Sequence, residues 1–405
     1  MRRAPKGFRL HIGLFGRRNV GKSSLLNALT HQSVSLVSEV AGTTTDPVEK
    51  PMELLPLGPV LFIDTAGVDD VGLLGQMRVE RTRRVFDRTD LGVVVVVANR
   101  WGRYEDALLD ELQERQTPTI VVFNKVDLFR PQPGDIQRLE RRGFACVQTQ
   151  AIRPETVLTL RQALLQSAPP EWLQERPILG DLVGPGKLAV LVTPIDKEAP
   201  KGRLILPQVQ AIRDLMDNDA MCLVVQDNRL REALAALKQP PGLVVTDSQV
   251  FERVARDTPA EVPLTSFSIL FSRFKGDLVA QVRGARTIGD LRPGDRILIA
   301  EACTHHPIED DIGTVKIPRW LTEIVGGKLE IKHVRGHDFP GDPSGYRLVI
   351  HCGACMWNRK EMLSRIMHCQ RAGVPITNYG LTIAYCLGIL ERTIRPFPEV
   401  ESCPA

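Results

Sequence analysis

The chain has 405 residues, of which 43% are hydrophobic and 25% charged, and its 52 basic residues nearly balance its 48 acidic ones. This length exceeds that of one ordinary domain, so two or three domains are expected. The near-neutral charge argues against a nucleic-acid-coating protein, and the longest apolar run, Leu91 to Ala98, is far shorter than the roughly 20 residues of a membrane helix. We therefore expect a cytoplasmic protein with no membrane or nucleic-acid partner, whose eight cysteines are metal ligands or buried thiols.

Residues 1–170 alternate strand and helix patterns, which predicts a doubly covered parallel sheet. The predicted strands are Arg9–Phe15, Val60–Asp64, Leu91–Ala98 and Thr119–Asn124. Helical spacing marks Glu105–Gln116 and Glu155–Gln166. The run Ala168-Pro169-Pro170 ends the last helix and closes this first domain.

Residues 171–262 form a second, smaller alternating block. Its predicted strands and helices are Leu188–Val192, Gln208–Met216, Cys222–Val225, Arg229–Leu237, Leu243–Thr246 and Ser248–Arg256. A sheet of this size exposes an edge or a face, and an exposed edge favours pairing with a second copy. We therefore predict that this block is a dimerisation domain.

Residues 263–405 begin after another proline-marked boundary and form the third block. Its predicted elements are the strands Arg296–Glu301, Leu329–His333 and Arg347–His351 and the helices Lys360–Ala372 and Tyr379–Glu391. The predicted fold class is thus α/β throughout, with three domains in series.

A phosphate-binding motif, G-x-x-x-x-G-K-[ST], follows the first predicted strand as Gly16-Arg17-Arg18-Asn19-Val20-Gly21-Lys22-Ser23, and Ser24 continues into a helix. Glycines let backbone N–H groups curl around phosphates, and the helix N-terminus adds positive partial charge. Lys22 is predicted to reach the β- and γ-phosphates and Ser23 to bind Mg2+. A Gly-rich turn of purely structural meaning is the weaker interpretation in this strand–helix context.

Three further segments select GTP as the nucleotide. Asp64 follows a predicted strand and is expected to approach Mg2+ through water, while the Gly67 N–H can bond the γ-phosphate. Asn124-Lys125-Val126-Asp127 follows another strand, and the Asp127 carboxylate can accept hydrogen bonds from guanine N1 and N2 that adenine cannot offer. Thr44, in the run Gly42–Asp46, is the predicted second Mg2+ ligand.

The order and spacing of these motifs resemble the TrmE–Era group of translation-factor-like GTPases. The resemblance implies that Asn19 helps to bind K+, which would supply the positive charge that an arginine finger supplies elsewhere; an ordinary loop role for Asn19 is the alternative. The guanine-supporting Ser-Ala motif of that group is degraded to Gln150-Ala151, so only the Ala151 backbone N–H is expected to contribute.

A cysteine- and histidine-rich signature occupies the third block. Cys303-Thr304-His305 follows one predicted strand, and His351-Cys352-Gly353-Ala354-Cys355 follows another. The two stretches are expected to meet at the carboxyl edge of a sheet. Three cysteines with one or two histidines fit a structural zinc ion. They also fit a cubane iron–sulfur cluster with an exchangeable fourth position, and residue chemistry alone leaves both open.

This signature, joined to such a GTPase domain, resembles the HydF family of GTPases, which assist maturation of the FeFe-hydrogenase active site. The resemblance covers essentially the whole chain and implies a homodimeric scaffold that carries a 4Fe-4S cluster. Cys303, Cys352 and Cys355 would be the cluster ligands, with His305 or His351 at the fourth position. The scaffold would receive a di-iron precursor from two radical-SAM maturases and deliver it to the hydrogenase apoprotein.

A different class of protein also fits the GTPase motifs. A ribosome- or RNA-associated GTPase with a structural zinc module would combine the same P-loop with the same cysteines. The near-neutral charge and an aromatic content of only 5% argue against an RNA-binding surface.

Overall fold

The computed structural model describes residues 5–30, 47–55, 57–65, 84–150, 153–173, 176–195, 204–302 and 311–401. It divides into two compact units, Met1–Glu175 and Arg176–Ala405. Thr44, Gly67, Ala151, Cys303 and His305 lie outside the described residues.

The first unit contains one six-stranded sheet with the strand order β2-β3-β1-β4-β5-β6. Its strands are β1 Leu10–Phe15, β2 Val48–Leu54, β3 Gly58–Asp64, β4 Leu91–Val97, β5 Thr119–Asn124 and β6 Ala145–Thr149. Its helices are α1 Lys22–Thr30, α2 Arg103–Glu114, α3 Pro133–Arg141, α4 Pro154–Ser167 and α5 Pro170–Leu173. All strand pairs are parallel except the antiparallel pair of β2 and β3. The four predicted strands are confirmed, and β2 and β6 flank them.

The centre of this sheet is covered on both faces. Val93 and Val95 of β4 pack into one apolar cluster, while Val94 and Val96 pack into the cluster on the opposite face. Successive side chains of a strand point to opposite faces, so an unbroken apolar run buries both. This arrangement places the carboxyl ends of β1, β3, β4 and β5 at one edge.

The second unit begins with a four-stranded parallel sheet of order β10-β9-β7-β8. Its strands are β7 Leu188–Val192, β8 Met221–Val225, β9 Leu243–Thr246 and β10 Leu264–Ser266. Its helices are α6 Gly180–Val183, α7 Leu206–Asp217, α8 Leu230–Ala236 and α9 Phe251–Asp257. The predicted alternation is confirmed, and β10, which lies just past the expected boundary at residue 262, adds a fourth strand to the sheet.

The second unit ends with another four-stranded parallel sheet, of order β12-β11-β13-β14. Its strands are β11 Arg296–Glu301, β12 Glu330–Arg335, β13 Leu348–His351 and β14 Ile376–Asn378. The helices are α10 Phe267–Lys275, α11 Leu278–Arg286, α12 Ile317–Val325, α13 Arg359–Arg371, α14 Tyr379–Cys386, α15 Leu390–Ile394 and α16 Pro398–Glu401.

The prediction of one long helix over Tyr379–Glu391 was wrong. The chain forms two helices, Tyr379–Cys386 and Leu390–Ile394, and Gly388 between them has a φ of +70°. Glycine adopts this left-handed conformation without a Cβ clash and commonly ends helices, so the apolar pattern continues across a break in the backbone.

Among the helices that the structure describes, none combines the length and the apolar character needed to cross a membrane.

Candidate functional site

The phosphate-binding loop connects β1 to α1 in a conformation that only glycine permits at two positions. Gly16 has a φ of +135° and Gly21 a φ of +99°. A Cβ at Gly16 would collide with the carbonyl oxygen of Val95, and a Cβ at Gly21 with the side-chain amide of Asn124. The loop therefore lies tightly against β4 and the end of β5, with its backbone free to approach an anion.

Lys22 lies inside this loop and is only 7% exposed. Its Nζ donates to the carbonyl oxygens of Gly16 at 2.8 Å and Arg17 at 2.9 Å. These bonds hold the ammonium at the position from which a P-loop lysine pairs with nucleotide phosphates. Val20 is a buried core residue behind the loop, and Ser24 is exposed on the first turn of α1.

Ser23 and Asp64 form the candidate Mg2+ site. The Ser23 hydroxyl donates to Asp64 Oδ2 at 2.8 Å. Asp64 Oδ1 is buried and has no hydrogen-bond partner among the described residues. Burial raises the pKa of Asp64, while Ser23, Lys22 and Lys50 act in the opposite direction. A buried carboxylate oxygen without a partner, next to a hydroxyl, fits a hard cation such as Mg2+.

The guanine-specificity segment is fastened to the phosphate loop. Asn124 is 1% exposed, donates from Nδ2 to the Val20 carbonyl at 2.8 Å and accepts from the Thr149 hydroxyl at 3.1 Å. Lys125, with a φ of +62°, donates from Nζ to the Asn19 carbonyl at 2.8 Å. Asp127 is exposed, so its carboxylate is accessible to a guanine base.

An ion pair at the start of the phosphate loop could not be predicted from the sequence motif. Arg17 donates from Nε and Nη2 to the Glu105 carboxylate of α2, at 2.7 and 3.2 Å, and its guanidinium lies 4.9 Å from the Tyr104 ring centroid. Glu105 is fully buried. A bidentate pair of this kind orients the loop, and it depends on a helix that begins some 80 residues later.

The strands that precede the two cysteine-bearing stretches are parallel neighbours. Ala300 of β11 is in register with His351 of β13, and both strands end at the same edge. The Ala302 N–H donates to Cys352 Sγ at 3.0 Å, and the Cys352 N–H donates to the Ala300 carbonyl at 2.9 Å. Ala302 is the residue directly before Cys303 in the chain.

Cys352 and Cys355 of the C-x-x-C loop are both half-buried residues. Burial raises the pKa of Cys352 to about 11. The N–H groups of Ala302 and Ala354 act in the opposite direction, because they stabilise the thiolate. Burial also raises the pKa of Cys355, and the ammonium of Lys275 opposes this. A bound metal ion supplies the positive charge that thiolates in such a setting need.

No group of three or more His, Cys, Asp or Glu side chains within the described part of the chain is arranged to hold a metal ion. Of the three predicted cysteine ligands, Cys352 and Cys355 lie in the described part of the chain, and Cys303 lies outside it.

His351 is fully buried, and both of its ring nitrogens have partners. Its Nδ1–H donates to the Cys352 carbonyl at 2.8 Å, and its Nε2 accepts from Arg365 Nη1 at 2.9 Å. Burial and the neighbouring Arg365 lower the pKa of His351 to about 3, so the ring is neutral at physiological pH. Metal ligation by His351 would require the loss of one of these two bonds.

Arg365 of α13 is held behind His351 by aromatic and main-chain contacts that sequence analysis missed. Its guanidinium lies 3.9 Å from the Trp357 ring centroid and 4.7 Å from that of Phe339. Its Nη2 also donates to the Gly336 carbonyl at 2.7 Å. This buried cation fixes the orientation of the histidine next to the C-x-x-C loop.

Three family models match the chain. Residues 11–125 match a model described as a 50S ribosome-binding GTPase. Residues 178–276 match the hydrogen maturase F dimerization domain, and residues 279–396 match the hydrogen maturase F tetramerization domain.

Curated relatives resemble the GTPase region. The tRNA modification GTPase MnmE of Azoarcus sp. is 37% identical over 174 residues, which cover 41% of this chain and 37% of the relative. MnmE of Chromobacterium violaceum is 34% identical over 158 residues, 39% of this chain and 34% of the relative. The chain thus spans about a third of the length of these relatives.

Solved structures of Era are also similar. A variant of Era from Aquifex aeolicus bound to GDP and aluminium fluoride is 19% identical, with a TM-score of 0.36, and the match covers 53% of this chain and 92% of that one. Era in complex with 16S ribosomal RNA is 18% identical, with a TM-score of 0.35, and the match covers 53% and 91%.

Proposed function

Because the chain belongs to the hydrogen maturase F family, two of whose domain models together match more than half of it, we propose that it is a GTP-hydrolysing scaffold for hydrogenase maturation. In this proposal it binds a 4Fe-4S cluster and a di-iron precursor and delivers the precursor to FeFe-hydrogenase. The partners would be two radical-SAM maturases and the hydrogenase apoprotein, and the compartment the cytoplasm.

One observation carries the proposal more than any other. The Ala302 N–H donates a hydrogen bond to Cys352 Sγ at 3.0 Å, so the residue directly before Cys303 lies beside the C-x-x-C loop. Parallel strands bring their carboxyl ends to one edge, and this pairing supports convergence of Cys303, Cys352 and Cys355 on one centre. N–H groups directed at a cysteine sulfur stabilise the thiolate and are a means of tuning iron–sulfur clusters.

The residues present fit an iron–sulfur cluster. Cysteine thiolates are its usual protein ligands, and a cluster with three of them has one iron open to an exchangeable ligand, which is the chemistry a scaffold needs for cargo. His305 is the better of the two predicted fourth ligands, because His351 Nε2 already accepts a hydrogen bond from Arg365.

The metal content of the protein tests this proposal against its alternative. Protein purified anaerobically should be brown, contain iron and acid-labile sulfide, and give an electron paramagnetic resonance signal after reduction. A colourless protein with stoichiometric zinc and no sulfide would contradict the proposal. That outcome would favour an RNA- or ribosome-associated GTPase with a zinc module, a function to which the ribosome-binding GTPase model over residues 11–125 also points.

The GTPase region supports nucleotide hydrolysis with Mg2+ held by Ser23 and Asp64. Lys22 and the loop N–H groups would bind the phosphates, and Asp127 would select guanine. Thr44 and Gly67 are proposed to contact Mg2+ and the γ-phosphate, and Ala151 the base. Positioning and electrostatic stabilisation account for nearly all catalysis in this reaction class, so a second cation at Asn19 would matter.

GTP turnover is expected to be about tenfold or more faster in K+ than in Na+, because a cation at Asn19 would stabilise charge on the phosphates. The Asn19→Gly variant should lose this difference. Asn19 has a φ of +62°, so glycine removes the side chain without straining the backbone. Steady-state phosphate release in matched salts measures both. Equal rates of the wild type in K+ and Na+ would remove Asn19 from the mechanism.

Homodimerisation is proposed through the sheet of residues 178–276. β8 is one of the two edge strands of this sheet, and its Met221 and Val224 are 55% and 39% exposed. Val209 and Met216 of the adjacent α7 are 47% and 63% exposed. An apolar strand with an open edge pairs readily with a second copy. A monomer mass in sedimentation at micromolar concentration would contradict this assignment.

A further inference from the structure

Lys275 is the last residue of α10 and is 1% exposed, and its Nζ donates hydrogen bonds to main-chain carbonyl oxygens. Lysine is rarely buried, because removing an ammonium from water is costly unless its donors are satisfied. The buried ammonium of Lys275 therefore requires hydrogen-bond acceptors around it.

Lys275 contacts three main-chain carbonyls in and directly after the C-x-x-C loop. Its Nζ lies 2.8 Å from the carbonyl oxygen of Cys355, 2.5 Å from that of Trp357 and 3.4 Å from that of Ala354. An ammonium has three donors, and three main-chain acceptors of one short loop surround it. The side chain thus binds the loop through its backbone carbonyls.

The loop contains a backbone conformation that needs such support. Ala354 has a φ of +48° and is 1% exposed. A residue with a Cβ adopts this left-handed conformation only when its surroundings impose it. The carbonyl of Ala354 also accepts from the Trp357 N–H at 3.1 Å, which closes the turn after Cys355.

The helix that carries Lys275 is itself tied down on its other side. Arg273 of α10 donates from Nη1 and Nη2 to the Asp181 carboxylate at 2.9 and 2.6 Å, and from Nε to Glu399 Oε1 at 2.6 Å. α10 lies in the segment that matches the dimerization domain, whereas the loop lies in the segment that matches the tetramerization domain. Lys275 is therefore a direct bond between the two.

We propose that Lys275 is a positioning residue that holds the Cys352–Cys355 loop in its ligating conformation before metal binds. Its ammonium interacts favourably with the Cys355 thiolate and would stabilise the more reduced, more negative state of a bound cluster. The effect on a bound cluster, the second statement, rests on the proposed function. The positioning of the loop, the first statement, concerns the metal-free protein alone.

Hydrogen–deuterium exchange of the metal-free full chain tests the first statement. Lys275→Met removes the charge and the donors while keeping the length of the side chain. We expect amides of the 352–357 segment to exchange about tenfold or more faster than in the wild type, while β13 keeps its protection. Lys328→Met, the same substitution at an exposed lysine, is the matched control, and it should leave the loop protected. Equal loop exchange in Lys275→Met and the wild type would overturn the proposal.

The wild type provides a test that does not depend on the folding of a variant. If Lys275 pre-arranges the loop, the Trp357 amide must already be protected in metal-free wild-type protein. Exchange of that amide at the rate of an unstructured peptide would overturn the proposal even if Lys275→Met fails to fold.

Reconstitution with iron and sulfide tests the second statement. Lys275→Met should bind less iron than Lys328→Met and show a midpoint potential shifted to more negative values, because a positive charge has been removed near the cluster. An unchanged potential would contradict the charge role. If wild-type protein takes up no cluster at all, the proposed function fails, while the exchange result still decides the role of Lys275 in the loop.

Discussion

Replacing Lys22 with alanine is expected to lower GTP turnover by at least about 100-fold, the scale on which loss of one preorganised electrostatic group slows a reaction. The ammonium is fixed inside the phosphate loop by the carbonyls of Gly16 and Arg17, so no other described cation holds the same position in the loop. Initial-rate phosphate release with saturating GTP and Mg2+ measures the effect.

Binding of the proposed cluster should survive this change. Lys22 lies in the first compact unit and the C-x-x-C loop in the second, so iron and sulfide content should match that of the wild type. Arg141→Ala, at an exposed position at the end of α3, is the control for an altered surface charge in the same unit. Folded Lys22→Ala protein that has lost both activities would show that the two sites are not separable.

Replacing Cys352 with serine is expected to abolish binding of the proposed cluster while GTP turnover stays within about twofold of the wild type, since the two sites belong to separate compact units. Serine is nearly isosteric, and its oxygen can still accept from the Ala302 N–H that now contacts the sulfur. It is a poor ligand for iron in a cluster because thiolates are the favoured donors. Iron and sulfide analysis and the electron paramagnetic resonance signal of the reduced protein measure the loss.

Cys386→Ser is the matched control for this experiment. Cys386 is a partly exposed cysteine at the end of α14, outside the predicted set of cluster ligands, and burial raises its pKa to about 12. Its replacement should leave the iron content unchanged. Full iron content in Cys352→Ser, or loss of iron in Cys386→Ser, would reverse the assignment of these cysteines.

Sequence patterns predicted the strands of the sheets more closely than the helices around them. Thr119–Asn124, Leu188–Val192, Leu243–Thr246 and Arg296–Glu301 form with the predicted bounds. Short apolar runs between polar segments are recognisable because strands of a parallel sheet are buried on both faces. α10 and α11 were not predicted, since their periodicity is interrupted by polar residues that tertiary contacts bury, such as Gln281.

The candidate site shows a similar division. Lys22, Ser23, Asp64 and Asn124 were predicted because each belongs to a short motif that follows a strand. Lys275, Glu105 and Arg365 were not, although each is buried and contacts a predicted site residue or its loop. No local pattern distinguishes these three from ordinary helical charges.

The sequence by itself determined the chemistry of two short segments: a loop that binds phosphate, and a pair of cysteines spaced for one metal centre. Contiguous residues carry both, so local backbone geometry is enough. Only the tertiary structure decided which residues hold these segments in place. These contacts include the hydrogen bond from Ala302 to Cys352, which strand register sets, and the one from Lys275 to the loop, which helix packing sets. Those contacts depend on strand order and on helix packing between residues some 50 to 80 positions apart, which are set by burial of the whole core and not by any one segment.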